Sequence, residues 1–242
     1  MKIDVFTVPS EVDEVTIRGQ SAVVIDVLRT SSTMLQAFSH GCREIYPVES
    51  IERALHLHSA LFTSDVLLCG ERDGIKINGF HLGNSPFEYT RNLVEHKSLI
   101  FTSTNGTATL IRTRNCKEAY LCGFQNIELV SETAAGIESL SILCAGKNNH
   151  FAQEDVVCAG MLIKSLQKRR NGDLILSDAA RMAVGLYEAN KDDLGAMVRQ
   201  ADHGMALMRL GKEKDLDFCI QTNTIQLVPQ YIEGKIRLCE KG

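Results

Sequence analysis

The chain has 242 residues, 44% hydrophobic and 23% charged, with a formal net charge of −4. That balance suits a globular protein with a sizeable core, in one large or two small domains, and excludes a broad basic face that would track a nucleic-acid backbone. No stretch approaches the roughly 20 consecutive apolar residues that cross a bilayer. The opening MKIDVFTVPS lacks the basic and apolar regions of a signal peptide. The expected setting is therefore the cytoplasm, with neither membrane nor nucleic acid as partner and a homo-oligomer left open.

In chain order, short apolar runs rich in β-branched residues read as strands: KIDVFTV, AVVIDVL, EIYPV, DVLLC, SLIFTST, EAYLC and SLSILCA. Between them, residues 51–62 and 125–135 have the length and apolar spacing of crossover helices. Strands alternating with helices in this way predict a parallel sheet covered on both faces. Residues 154–170 and 177–210 read as successive helices, with breaks at Asn171-Gly172 and near Gly204, so a second lobe of different character is expected there. FCIQTNTIQLVPQYIEGKIRL then returns to strand-like alternation, with a turn at Glu233-Gly234. The eight cysteines form no C-x-x-C pair and show no zinc spacing, so buried thiols rather than disulfides are expected.

Ligands of open α/β sheets bind beyond the carboxyl ends of the strands. Four such ends stand out. AVVIDVLRTSST delivers Asp26, suited to a hard cation such as magnesium. Arg29 follows, suited to a two-pronged oxyanion contact, and then the hydroxyls of Thr30, Ser31, Ser32 and Thr33. Ser31 reads equally well as an ordinary helix cap and Arg29 as a surface residue. SLIFTSTNGTATL brings Thr104, Asn105 and Gly106 into a turn whose N–H groups suit an anion, although a plain strand-to-helix turn fits too; it is not a nucleotide P-loop. LLCGERDGIKINGFHLGNSPFEY is a long glycine-punctuated loop carrying Glu71, Arg72, Asp73, Lys76, His81, Asn84 and Ser85, and its length and interleaved apolar residues favour a binding role. SILCAGKNNHFAQEDVV carries Glu154 and Asp155 after its strand end, a pair that suits a helix N-terminus, a magnesium ion or a bound water.

Other arrangements fit less well. Cys144 as a nucleophile lacks a basic cradle nearby, and Asp26 as a covalent phosphate acceptor lacks the usual second acid two residues on, where Leu28 stands. The seven histidines are scattered and read as structural, with His81 and His150 as minor exceptions because of their loops.

Taken together, VVIDVLRTSST, GERDGIKINGFHLGNSPFEYT, TSTNGTATL, CAGKNNHFAQEDVVCAG and LSDAAR resemble the 2-phosphosulfolactate phosphatase family in order and spacing, and DHGMALMRLGKEKDLDFCIQTNT is similar to its C-terminal part. The resemblance implies hydrolysis of 2-phosphosulfolactate to sulfolactate and phosphate, dependence on Mg2+ and a place in coenzyme M biosynthesis. It also implies a two-lobed α/β fold with the site in the cleft. The expected architecture is layered α/β/α, with a largely parallel sheet in an N-terminal lobe of residues 1–122 and a mixed α/β second lobe of residues 123–242. Asp26, Arg29, Glu71, Arg72, Asn84, Ser85, Thr104, Asn105, Gly106, Glu154 and Asp155 carry over from the family's motifs. Thr30 and Asp73 stand where small residues are expected, and the charge of Asp73 bears on substrate preference.

The reading that follows puts magnesium on Asp26 with Glu154 or Asp155, and the phosphate against Arg29 and the Asn105-Gly106 backbone. Asp155 orients the attacking water, and Arg72 and Lys76 meet the substrate's carboxylate and sulfonate. The rival is a non-catalytic sensor that binds a phosphorylated or sulfonated metabolite in the same cradles.

Overall fold

The computed structural model describes residues 1–61, 63–171 and 173–239. Phe62, the last residue of the helix expected over 51–62, and Gly172 of the expected Asn171-Gly172 break lie outside them. The elements in chain order begin β1 (Lys2–Phe6), β2 (Ser21–Ile25), α1 (Thr30–Ser39), β3 (Glu44–Pro47), α2 (Ile51–Leu61), β4 (Val66–Arg72) and β5 (Ile75–Lys76). Next come α3 (Arg91–Val94), β6 (Ser98–Thr102), α4 (Gly106–Arg112), β7 (Glu118–Cys122), α5 (Ile127–Ala134), β8 (Ser139–Cys144) and α6 (Gln153–Arg169). The remainder is β9 (Ile175–Leu176), α7 (Asp178–Asn190), α8 (Leu194–Gln200), α9 (Asp202–Arg209), α10 (Glu213–Cys219), β10 (Pro229–Ile232) and β11 (Lys235–Leu238).

All the strands join one sheet, in the order β5-β4-β6-β3-β11-β10-β7-β2-β8-β1-β9. It consists of two internally parallel halves of opposite direction, β4-β6-β3 and β7-β2-β8-β1-β9, joined by the antiparallel β10–β11 hairpin, with β5 antiparallel on the β4 edge. Position 122/123 falls directly after β7, and strands from both sides of it share the second half.

Both central strands are buried at every position, as parallel strands covered on two faces must be. Their side chains alternate between layers. Val23 and Ile25 of β2 join a core with Val130 of α5 and Val157, Leu162 and Ile163 of α6, while Ala22 and Val24 pack with Met34 and Phe38 of α1 and Leu110 of α4. On β6, Leu99 and Phe101 face that second core and Ile100 faces Ala54 of α2. This is the expected layered α/β architecture.

The helical stretch after residue 177 breaks at Ala201, close to the expected place near Gly204, and also at 191–193 and 210–212. Asp193 caps α8 by accepting the Ala196 N–H at 2.8 Å, which sets one break at 191–193. Gly204 itself lies in the first turn of α9, just past the Ala201 break. A Cβ there would strike the Val198 carbonyl of α8, so the glycine serves a close approach of two helices. The eight cysteines are all free, and six are buried.

Candidate active site

The three antiparallel joints β3–β11, β11–β10 and β10–β7 run the two half-sheets in opposite directions, yet the polar segments that follow β2, β4, β6 and β8 meet around one cavity. After β2 the chain turns immediately into α1. Ser31 Oγ accepts the Asp26 N–H at 3.0 Å, and the Thr30 N–H donates to Asp26 Oδ1 at 3.3 Å. Ser32 Oγ donates to the Val27 carbonyl at 3.0 Å and accepts from Gln125 Nε2 at 3.0 Å. Ser31 and Ser32, expected to face an anion, are instead spent on this turn, and neither lines the cavity formed by Asp26 and its neighbours. Arg29 is buried, with Nη1 2.5 Å from Asp215 Oδ2 and Nη2 donating to the Gly74 carbonyl at 2.9 Å.

Beyond β4, Glu71 braces two loops. Its oxygens accept the Gly74 N–H at 2.7 Å and the Thr104 N–H at 2.8 Å, so its charge falls on backbone donors. Arg72 turns away to the Glu71 carbonyl and, at 2.9 Å, to Thr102 Oγ1, and Lys76 stands exposed on β5. Neither reaches the cleft, because consecutive strand residues face opposite sides and the short β4–β5 hairpin carries Lys76 outward. Ser85 Oγ donates to Asp215 Oδ1 at 2.7 Å, behind Arg29. Asn84 Oδ1 is buried without a hydrogen-bond partner. Gly106, at the start of α4, sits against Asp26 and Thr30 so closely that a Cβ would collide with both.

Beyond β8, Asp155 takes the Val27 N–H on Oδ1 at 2.8 Å and the Gly146 N–H on Oδ2 at 3.0 Å, clamping the ends of β2 and β8 together. Both of its oxygens are engaged, and it does not line the cleft. Its neighbour Glu154 hydrogen-bonds through Oε1 to His203 Nδ1 at 3.1 Å, and Glu154 Oε2 is buried with no partner.

These groups enclose a cavity of about 190 Å³. Of the sequence-predicted residues, Asp26, Arg29, Glu71, Asn84, Thr104 and Asn105 line it. Lys147, Asn148 and His203 complete the polar wall, and Leu207 and Leu210 supply an apolar side. A second cavity of about 200 Å³ adjoins the first through Lys147 and His203, and Glu154 and Gln153 line it. His203 and Asp215 were missed in the sequence because nothing local marks them. The signal available was the DHGMAL and KDLDF stretches already quoted as family-like.

Burial pushes the Asp26 carboxyl up to about 6, opposed by the hydrogen bond from Thr30 and by nearby His203, with Glu71 adding to the rise. Burial, and then the charges of Glu154 and Asp26, raise Asp155 well above the usual carboxylate range. A cluster of this kind favours a cation. Among the described residues no three acidic, histidine or cysteine side chains form a metal cage. Magnesium asks for less, since one or two carboxylates with water and substrate oxygens satisfy it. The carboxylates with that chemistry are Asp26, on the first cavity, and Glu154, on the adjoining one, whose Oε2 has no partner. Asp155, with both oxygens on backbone donors, fits as a support behind them.

Comparison with known proteins identifies the family. A Clostridium beijerinckii protein named probable 2-phosphosulfolactate phosphatase is 36% identical over 242 residues, covering 99% of this chain and 100% of that protein. A Thermotoga petrophila protein of the same name is 37% identical over 221 residues, covering 91% and 93% respectively. The family model described as 2-phosphosulpholactate phosphatase matches residues 6–234. With its strand-end cleft and near-complete match, the chain belongs to the 2-phosphosulpholactate phosphatase family.

Proposed function

We propose that the chain is a phosphoric monoester hydrolase that converts 2-phosphosulfolactate, or a close 2-phospho-hydroxy acid, to sulfolactate and inorganic phosphate with magnesium, in the cytoplasm and in coenzyme M biosynthesis. The observation that carries the reading is the convergence of Asp26, Thr104, Asn105 and Asn84 in one cavity, where Asn84 Oδ1 is buried without a partner, with Glu154 and its partnerless Oε2 at the adjoining cavity. Family membership supports the reaction class.

Asp26 and Glu154 would hold the magnesium, with Asp155 fixing the strand ends behind them. When bound, the ion supplies positive charge against the phosphoryl oxygens as charge develops on them. The phosphoryl group is received at the Thr104-Asn105-Gly106 turn, which Gly106 allows to lie against Asp26. Arg29 keeps guanidinium donors beyond those spent on Asp215 and Gly74. Water attacks phosphorus as the ester P–O bond breaks. Its proton passes to the carboxylate of Asp26 or Glu154, and the departing C2 oxygen takes a proton from water to become the hydroxyl of sulfolactate.

The test is phosphate release from 2-phosphosulfolactate and a panel of 2-hydroxy-acid phosphates, with and without magnesium, for wild type and Asp26→Asn. Magnesium-dependent release that the substitution abolishes is the expected result. Tight binding of sulfolactate without release from any ester would overturn the hydrolase reading in favour of a sensor.

A further inference from the structure

The cavity is short of positive charge. Its ionisable lining is Asp26, Glu71, Asp73, Arg29, His203 and Lys147. Arg29 is ion-paired to Asp215, and His203 leans on Glu154. Among the described residues Lys147 is the lining cation with no carboxylate partner. A phosphorylated sulfolactate carries a phosphate, a carboxylate and a sulfonate, and a metal at Asp26 serves only the first.

Lys147 is held rather than free. Its backbone exchanges two hydrogen bonds with His150, both 2.9 Å, across a two-residue turn in which Asn148 and Asn149 have φ of 50° and 59°. Positive φ at both central positions is the tight hairpin geometry that asparagine tolerates. The turn is pinned to the phosphate-side loop by the Asn148 N–H, which donates to Asn105 Oδ1 at 2.9 Å. Lys147 Nζ donates to the Asp202 carbonyl at 3.0 Å, which bridges the cleft to α9 and leaves two ammonium donors. The same side chain lies where the two cavities meet.

Building on the phosphatase reading, we propose that Lys147 is the specificity-determining cation that receives the substrate's non-ester anion, the sulfonate or the carboxylate. It takes the part that Arg72 and Lys76, both outside the cavity, do not fill. An ester lacking that anion gains nothing from Lys147, so the residue selects among 2-phospho acids without joining the chemical step.

The experiment compares Lys147→Met and Lys147→Arg with wild type on three esters: 2-phosphosulfolactate, 2-phospholactate, which lacks the sulfonate, and the phosphate ester of 2-hydroxyethanesulfonate, which lacks the carboxylate. A hydrogen bond to a charged group corresponds to a KM rise of about tenfold or more for Lys147→Met on the full substrate, with kcat within about threefold. Lys147→Arg should recover most of the loss. The penalty should vanish on whichever truncated ester lacks the contacted anion. An unchanged KM, or the same penalty on all three esters, overturns the proposal. Calorimetric binding of sulfolactate provides a reading independent of turnover. If wild type releases no phosphate from any ester, the hydrolase reading alone fails. Weaker sulfolactate binding by Lys147→Met then still supports the role of Lys147, whereas equal binding, or none by wild type, overturns it.

Discussion

Removing Asp215 would expose how Arg29 is kept in place. The Arg29–Asp215 pair is 2.5 Å apart, with side chains 2% and 4% exposed, and Ser85 Oγ donates to the same carboxylate at 2.7 Å. Asp215→Ala leaves a guanidinium buried without its counter-charge, a change that costs about 3–5 kcal/mol. At roughly 2.1 cal/mol/K per residue, the melting entropy of this chain is about 0.5 kcal/mol/K, so Tm should fall by about 6–10 °C. Urea unfolding and thermal melts followed by circular dichroism measure both quantities. The double variant Arg29→Met with Asp215→Leu removes both charges and should recover much of the loss, because the pair's cost lies largely in desolvation. A loss below about 1 kcal/mol for Asp215→Ala, or a double variant as unstable as the sum of the singles, would refute the reasoning and return Arg29 to the substrate as an unpaired cation.

Gly106→Ala would drive a methyl group into Asp26 and Thr30. Phosphate release should drop by roughly 100-fold with the chain still folded, and near-wild-type turnover would show that the turn does not need this close approach. Glu44 on β3 would be raised by burial, but hydrogen bonds from Tyr46 and Arg237 and the charge of Lys235 hold it down, from 4.5 to about 2. Because the folded value is the lower one, its stabilising contribution is complete above about 4.5 and drains as pH falls toward about 2. Melts at pH 3 and pH 6 should therefore separate wild type from Glu44→Gln more at pH 6, and an equal separation at both would show that the ionic contact is idle.

The parts of the molecule legible in the sequence were those encoded locally. Each of the seven expected strand runs forms a strand, because a continuous apolar run has nowhere to go but a covered sheet. The two-residue strands β5 and β9 have no such run, and the order of the strands depends on long-range pairing that periodicity does not record. The site divides in the same way. Asp26, Thr104 and Asn105 follow strand ends directly, which marks them as site residues, but β2 and β6 lie in half-sheets of opposite direction, so their meeting in one cavity is visible only in the folded chain. Arg72 and Lys76 were read by charge, yet strand alternation and the β4–β5 hairpin decide where they point. Ser31 and Ser32 were read as donors, but the turn into α1 consumes them. His203 and Asp215 arrive from the helical segment that packs across the strand ends, and only the folded chain shows that they touch Glu154 and Arg29.

The β10–β11 hairpin has a consequence for biogenesis. A nascent chain that has already produced β1 through β9 holds two half-sheets whose facing edges, β7 and β3, are both bare. Only the hairpin, at residues 229–238, closes that gap. Open strand edges invite pairing with other chains. Ribosomal stalling before the hairpin emerges should therefore release an aggregation-prone fragment rather than a smaller working domain.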